Sequence, residues 1–307
     1  MPPAPKTAVI LNPAAAGGRL GKRVGQWTDA FHAYLGAYEL FMTRRPGHAT
    51  ELARQALLSG CDRIVSVGGD GTHCETANGF FSERRLIRPE SHLAIVPYGT
   101  GTDFSRTLGI PRGLAALDRI PRARIVRIDA GCATFQSPSG EAGMRHFLNI
   151  ADFGAGGEVV RRVNQTSKYC GGFPSFLYGV VSTLITFRNP WVHIQIDDVV
   201  LEGAFNNVII ANGQYYGGGM HAAPHARLDS GLFEVYLIGD VRRIEALVNL
   251  PKLYRGRLDR AGKVRHFCAK RIIARAETAV LLNLDGEQPG RLPATFEILP
   301  RALPVLV

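Results

Sequence analysis

Apolar and polar positions alternate in two rhythms over the first 120 residues. Short apolar runs at 7–11, 38–42, 63–67 and 93–96 read as buried strands. Between them, residues 20–35, 48–58 and 72–81 read as helices, with Gly60 as a stop signal after the second. Strands that alternate with helices build a parallel sheet covered on both faces. From about Ile125 the texture changes. Short β-branched or alternating runs at 126–128, 193–196, 207–210, 232–238 and 279–284 are separated by turn residues, an antiparallel, sandwich-like pattern. Helical stretches at about 173–187 and 242–253 interrupt it. The predicted fold class is therefore an α/β domain with a parallel sheet over residues 1–125, followed by a β-sandwich domain over 126–292. No long linker, repeat or low-complexity segment separates them.

Length and composition fit this picture. The 307 residues, 46% of them hydrophobic, suffice for two ordinary domains with real cores. The longest mainly apolar run, 173–187, is too short to span a bilayer. The first six residues carry no signal-peptide core, so a cytoplasmic protein is expected. Five scattered cysteines (Cys61, Cys74, Cys132, Cys170 and Cys268) show neither zinc spacing nor a disulfide framework, and reduced, mostly buried thiols are expected.

Charge changes the picture more. A net charge of +10 favours anionic partners. It concentrates between Arg242 and Arg275, where eleven Lys or Arg meet only Glu245 and Asp259. This is either a solvated basic face or a surface for anions. No zinc-finger, homeodomain or RNA-recognition signature is present, and nucleic acid is not an expected partner.

The chemistry concentrates in the turns that follow the strands. Gly68-Gly69-Asp70-Gly71-Thr72 leaves a strand and opens a helix. Glycines let the backbone approach a phosphate, and amides at a helix start face the anion. An Asp in such a loop repels phosphate unless Mg²⁺ sits between them. Pro97-Tyr98-Gly99-Thr100-Gly101-Thr102-Asp103-Phe104 and Asn12-Pro13-Ala14-Ala15-Ala16-Gly17-Gly18 follow two other strands. In a parallel sheet such loops meet at the carboxyl edge, where ligands bind. A P-loop is excluded for residues 17–23, because Ala16 stands at its first glycine and Arg23 at its Ser or Thr. Near the other end, Leu284-Asp285-Gly286-Glu287 reads either as a hairpin turn or as the seat of a general base for an acceptor hydroxyl.

Taken together, these segments resemble the diacylglycerol kinase catalytic family, which includes bacterial lipid kinases and sphingosine kinases. The likeness runs nearly end to end. It also takes in Thr43 ahead of Gly47-His48-Ala49, Glu75, Asn78-Gly79, Ile128-Asp129-Ala130-Gly131, Asn149-Ile150-Ala151, Ala222-Ala223-Pro224 and Leu228-Asp229-Ser230-Gly231. The resemblance implies a first domain like the phosphofructokinase and NAD kinase sheet, and a last strand, about 293–307, that returns to it. It implies ATP contacts at Asn12, Pro13, Ala14, Ala15, Ala16, Thr43, Gly69, Asp70, Gly71, Thr72, His73, Cys74, Glu75 and Thr100. Asp70 and Asp103 would belong to an Mg²⁺ and water network, and Glu287 would accept the proton. A structural Mg²⁺ would bind the Arg227 carbonyl, Ser230 and the Leu232 carbonyl. The family favours Asp where Ser230 stands and Asn where Thr102 stands, and a hydroxyl is a poor substitute for a carboxylate at a hard cation.

The expected activity is phosphoryl transfer from ATP to a lipid hydroxyl, on a peripherally bound protein held to anionic membrane by its basic segments. The helix at 173–187 would either line acyl-chain access or pack in the core. Two rivals are an NAD kinase, which shares the glycine loop, and a non-catalytic lipid-binding relative. The lipid and the oligomeric state stay open, a homodimer among the options.

Overall fold

The computed structural model describes residues 5–99, 101–170 and 173–307. The chain forms two compact units, Met1–Asp129 with Arg301–Val307, and Ala130–Pro300.

In the first unit, strands β1 (Thr7–Leu11), β2 (Tyr38–Met42), β3 (Arg63–Gly68) and β4 (His92–Pro97) alternate with helices α1 (Val24–Leu35), α2 (His48–Leu58) and α3 (Asp70–Asn78). The short helices α4 (Asp103–Leu108) and α5 (Leu114–Arg119) follow. All strand pairs are parallel, in the order β4-β3-β1-β2, and Val305 pairs with Leu93 to add a further parallel strand beside β4. β1 and β4 are buried throughout and β3 nearly so, which is why they read as unbroken apolar runs. Trp27 and Phe31 of α1 pack on Val9, Val65, Val67 and Leu306.

Two expected helices shift. A 3₁₀ turn at Gly21–Arg23 replaces the start of the one at 20–35, because Gly21 donates its amide to the Pro13 carbonyl and keeps the loop folded back. The helix expected at 72–81 begins at Asp70 and ends at Asn78, and Phe80 and Phe81 turn into the core.

The chain enters the second unit along strand β5 (Ile125–Gln136), followed by β6 (Ala142–Phe147), β7 (Ile150–Gly154), α6 (Ala155–Cys170) and α7 (Phe173–Thr186). Then come β8 (Trp191–Ile196), β9 (Val199–Ala204), β10 (Asn207–Ala211), β11 (Phe233–Ile238), α8 (Arg243–Tyr254), β12 (Val264–Ala269), β13 (Arg271–Arg275), β14 (Leu282–Leu284) and β15 (Arg291–Leu306). One sheet is antiparallel in the order β12-β11-β10-β7-β14. The other runs β9-β8-β13 and on to the first half of β15. Side chains from both sheets, among them Phe153, Ile194, Val208, Val235 and Phe296, share one core. Division into units falls after Asp129 and Pro300 rather than at 125 and 292, because both crossings lie inside continuous strands, β5 and β15, with no loop to mark them.

Among the described residues Cys61, Cys74 and Cys132 are buried and Cys268 is exposed, and none of the four is in a disulfide. No described helix is long and apolar enough to cross a membrane.

Candidate active site

In the first unit the loops after β1, β3 and β4 interlock. Asn12 donates from Nδ2 to Thr72 Oγ1 at 2.9 Å and accepts the Ala14 amide at 3.0 Å, so the first loop is tied to α3. Gly69 and Gly99 meet backbone to backbone: a Cβ on Gly99 would lie 2.8 Å from the Gly69 Cα. Asp70 closes the third link. Its Oδ2 accepts the Asp103 amide at 2.9 Å and its Oδ1 accepts the Phe104 amide at 3.1 Å, so it caps α4 from the neighbouring loop. Arg112, which no sequence signal marks, donates to the Gly99 carbonyl. The residue ahead of α3 is Gly69, which has no side chain to cap it, and amides at a helix start face an anion.

The residues expected around the nucleotide divide by what their side chains do. Asn12, Pro13, Ala14, Ala15, Ala16, Gly69, Gly71 and Thr72 lie on the interlocked loops, and Thr43 follows β2 at the same edge, its amide bonded to the Leu11 carbonyl at 2.9 Å. Glu75 faces α2 instead: its carboxylate accepts the Gly47 and Ala49 amides at 2.8 and 3.3 Å, so it positions that helix. His73 and Cys74 are buried. His73 bonds Ser66 at 2.9 Å, and burial pushes its imidazole down to about 4, so it is neutral. Only the backbone of these two could meet a ligand. Thr100 lies outside the described residues.

An Mg²⁺ fits here by donor chemistry. Each Asp70 oxygen accepts one amide among the described residues, and a carboxylate oxygen has a second lone pair to offer. A Cβ on Gly101 would come within 2.9 Å of Asp70 Oδ2 and 3.9 Å of Asp103 Oδ2, so the glycine keeps space open beside both carboxylates. Asp103 is buried and pairs with Arg106 at 3.3 Å.

The structural Mg²⁺ of the second unit does not fit. Ser230 Oγ lies 3.1 Å from both the Arg227 and the Leu232 carbonyls and is itself their hydrogen-bonding partner. The nearby carboxylate, Asp229, is paired with Arg227 at 3.2 Å. Two carbonyls already bridged by a hydroxyl, without a carboxylate, make a poor site for a hard cation.

The second unit holds Glu287 on the hairpin that follows β14. Asp285 and Gly286 both have positive φ, 49° and 90°, which suits a two-residue turn of Asp-Gly type. Asp285 anchors it: its carboxylate accepts the amides of Leu148, Asn149 and Ile150 at 2.7 to 3.0 Å. The hairpin reading is therefore the observed one, and the turn presents Glu287 on a fixed base. Arg145 of β6 pairs with Glu287 at 2.6 Å and holds its carboxylate. Nothing in the sequence marks Arg145.

Asp152 of β7 is a second residue the sequence reading passed over, although an acid inside the apolar run 150–153 was a signal. It is fully buried and accepts from Asn283 Nδ2 at 2.8 Å, and its Oδ1 has no hydrogen-bond partner. Burial raises its carboxyl to about 7, against 3.8 for the free side chain. The folded state therefore holds a proton that the unfolded chain releases near pH 4, and this stabilisation drains away as pH rises from about 4 to about 7. The stability gap between Asp152→Asn and the parent should widen in the variant's favour across that window and level off above it. Denaturant midpoints at a series of pH values check this, and a gap independent of pH would contradict it.

Residues 6–133 match the diacylglycerol kinase catalytic domain, and residues 149–307 match the YegS C-terminal NAD kinase beta sandwich-like domain. The chain is 30% identical over 299 residues to the diacylglycerol kinase of Staphylococcus epidermidis (strain ATCC 35984), covering 95% of this chain and 88% of that one. It is 27% identical over 304 residues to the diacylglycerol kinase of Bacillus subtilis (strain 168), covering 98% and 96%. A crystal structure from Bacillus anthracis str. Sterne, described provisionally as a diacylglycerol kinase, superposes with a TM-score of 0.77 at 26% identity and covers 98% of this chain and 94% of that one. The glycine-locked loops, the sandwich and these likenesses agree: the chain belongs to the diacylglycerol kinase family of lipid kinases, and it is a kinase that phosphorylates an alcohol group.

Proposed function

We propose that the chain transfers the γ-phosphate of ATP to the hydroxyl of a diacylglycerol-like or sphingoid lipid at the surface of an anionic membrane. The observation that carries the nucleotide reading is the Asp70 cap, which locks two glycine loops edge to edge at the start of α3. Asp70 and Asp103 would hold Mg²⁺, which when bound neutralises phosphate charge and orients the transferring group. The amides at the start of α3 bind phosphate oxygens. Glu287, steadied by Arg145, takes the proton from the acceptor hydroxyl as the oxygen attacks.

Membrane action is supported by an exposed apolar face on the packed helices α7 and α8. Tyr178, Ile244 and Val248 are 65%, 71% and 70% exposed, and Leu177 and Ile185 join them. In sequence, α8 runs directly into the basic segment 252–265. Of the cations at 252–265, Lys252, Arg255, Arg257 and Arg260 make no ion pair among the described residues; the three arginines are exposed, and Lys252 donates to the Arg260 carbonyl at 3.4 Å. Lys263 is different, being paired with Glu245 at 3.0 Å, and Arg265 lies 6.0 Å over the Phe205 ring.

The test presents ATP, Mg²⁺ and purified lipids in vesicles of graded anionic content, with NAD as a competing acceptor, and identifies products by mass. A phosphorylated lipid, formed faster on anionic vesicles and more slowly as salt rises, is the expected result. Neutralising Lys252, Arg255 and Arg260 to Gln should weaken vesicle binding by about 10²-fold, at about 1 kcal/mol per cation, and spare ATP binding. Phosphorylation of NAD alone would overturn the proposal. A salt-independent response would remove its membrane part.

A further inference from the structure

An unassigned cluster of metal-ligating side chains lies on strands β11 and β12. In their antiparallel register Glu234 faces Cys268, and Tyr236 faces His266. Alternate residues of a strand share a face, so Glu234, His266 and Cys268 stand together on one side, opposite the sandwich core that takes Phe233, Val235 and Leu237.

Their polar atoms already converge. His266 Nε2 is hydrogen-bonded to Glu234 Oε2, and Cys268 Sγ donates to Glu234 Oε1 at 3.7 Å. One ligand atom from each lies within 4.8 Å of the others. Donors at ~2.0–2.3 Å around a tetrahedral ion stand about 3.3–3.8 Å apart, so closing on a metal needs only rotamer-scale movement. The strands fix the backbone beneath all three. The His266 ring is held further by stacking on Tyr236, with centroids 4.6 Å apart, and Tyr236 is itself 2% exposed.

From this geometry we propose that Glu234, His266 and Cys268 form a zinc site with three protein ligands and one open coordination position. Sulfur, imidazole nitrogen and carboxylate oxygen together are the donor set of a borderline divalent ion and are ill suited to Mg²⁺ or Ca²⁺. One thiolate and one carboxylate balance the charge of the ion. His266 binds as the neutral ring through Nε2, which leaves its other nitrogen to carry the proton. Burial and then the neighbouring Glu234 push the Cys268 thiol up, so its proton is released to solvent when the metal is taken up. The exposed Cys268 places the open position toward solvent, where water or a side chain of another molecule completes the sphere. The competing account is a polar triad that only covers the edge strand β12.

The experiment uses the full chain, reduced and stripped with chelator, titrated with ZnCl₂ against a chromogenic competitor. Co²⁺ serves as a second probe for the near-ultraviolet thiolate charge-transfer band. One equivalent per chain and a thiolate band are expected, with affinity falling at least about tenfold in both Cys268→Ser and His266→Ala. The three positions are not core residues of the sandwich, and melting curves of the metal-free variants verify that they fold. Absence of uptake, or uptake unchanged in either variant, overturns the site and leaves the hydrogen-bonded triad alone.

Discussion

Asp70→Asn should reduce phosphoryl transfer to background, even when turnover is counted per folded molecule. The expected loss has two parts, and they can be separated. Asp70 accepts two backbone amides, from Asp103 and Phe104. An asparagine has one acceptor oxygen, so its NH₂ group confronts the second amide and the cap on α4 weakens by about 1–2 kcal/mol. That cost lowers the melting temperature without emptying the folded state. The larger part is the lost negative charge beside Asp103, where a hard cation would be held. Cooling the assay to keep the variant folded restores only the first part. Parent-like turnover in folded Asp70→Asn protein would remove the proposed metal role. Full recovery on cooling would reduce Asp70 to a helix cap.

Glu287→Gln should lower turnover by ~10²–10⁴-fold, the range for a general base, and change ATP affinity little. The Arg145 pair provides the control. If the carboxylate matters only as half of an ion pair, Glu287→Gln and Arg145→Met should damage stability and turnover alike. A base predicts an uneven result: turnover collapses in the first variant, whereas in the second a misplaced but intact carboxylate retains much of it. Nucleotide binding measured beside turnover completes the test. Collapse of ATP binding in Glu287→Gln would move this residue from the acceptor to the nucleotide.

The parallel sheet was legible because its central strands are buried on both faces, and the bounds expected for β1, β2 and α2 are those observed. Helix α6 was not. Its first turn contains Gly156-Gly157, which reads as a turn, yet both glycines answer to atoms packed against them, one set close in sequence and the other distant. A Cβ on Gly156 would lie 2.1 Å from Asp152 Oδ1, and one on Gly157 would lie 2.3 Å from the Leu281 carbonyl. At Gly157 the approach is tertiary and invisible in the local pattern. The same limit applies at the site. The loops after β1, β3 and β4 announce themselves by glycine, asparagine and aspartate, but the division of labour does not. Glu75 holds a helix N-terminus, and Asp285 holds a strand start while its neighbour Glu287 faces an arginine. Which carboxylate is structural depends on amides brought near by folding, and at Asp285 these lie more than 130 residues away.

The seven residues 301–307 carry a cost in time. They belong to the first unit, where Val305 pairs with Leu93, the Arg301 amide binds Asp129 at 2.7 Å, and Val307 and Arg124 exchange backbone hydrogen bonds at 3.0 Å. A ribosome makes them only after the whole second unit has been synthesised. Until then the nascent first unit waits with β4, a strand with the apolar centre Leu93–Val96, as a naked sheet edge, the kind of edge that recruits strands from other chains. Chains interrupted anywhere in the second unit therefore share one defect, an unsealed β4, and are natural clients for chaperones and proteases.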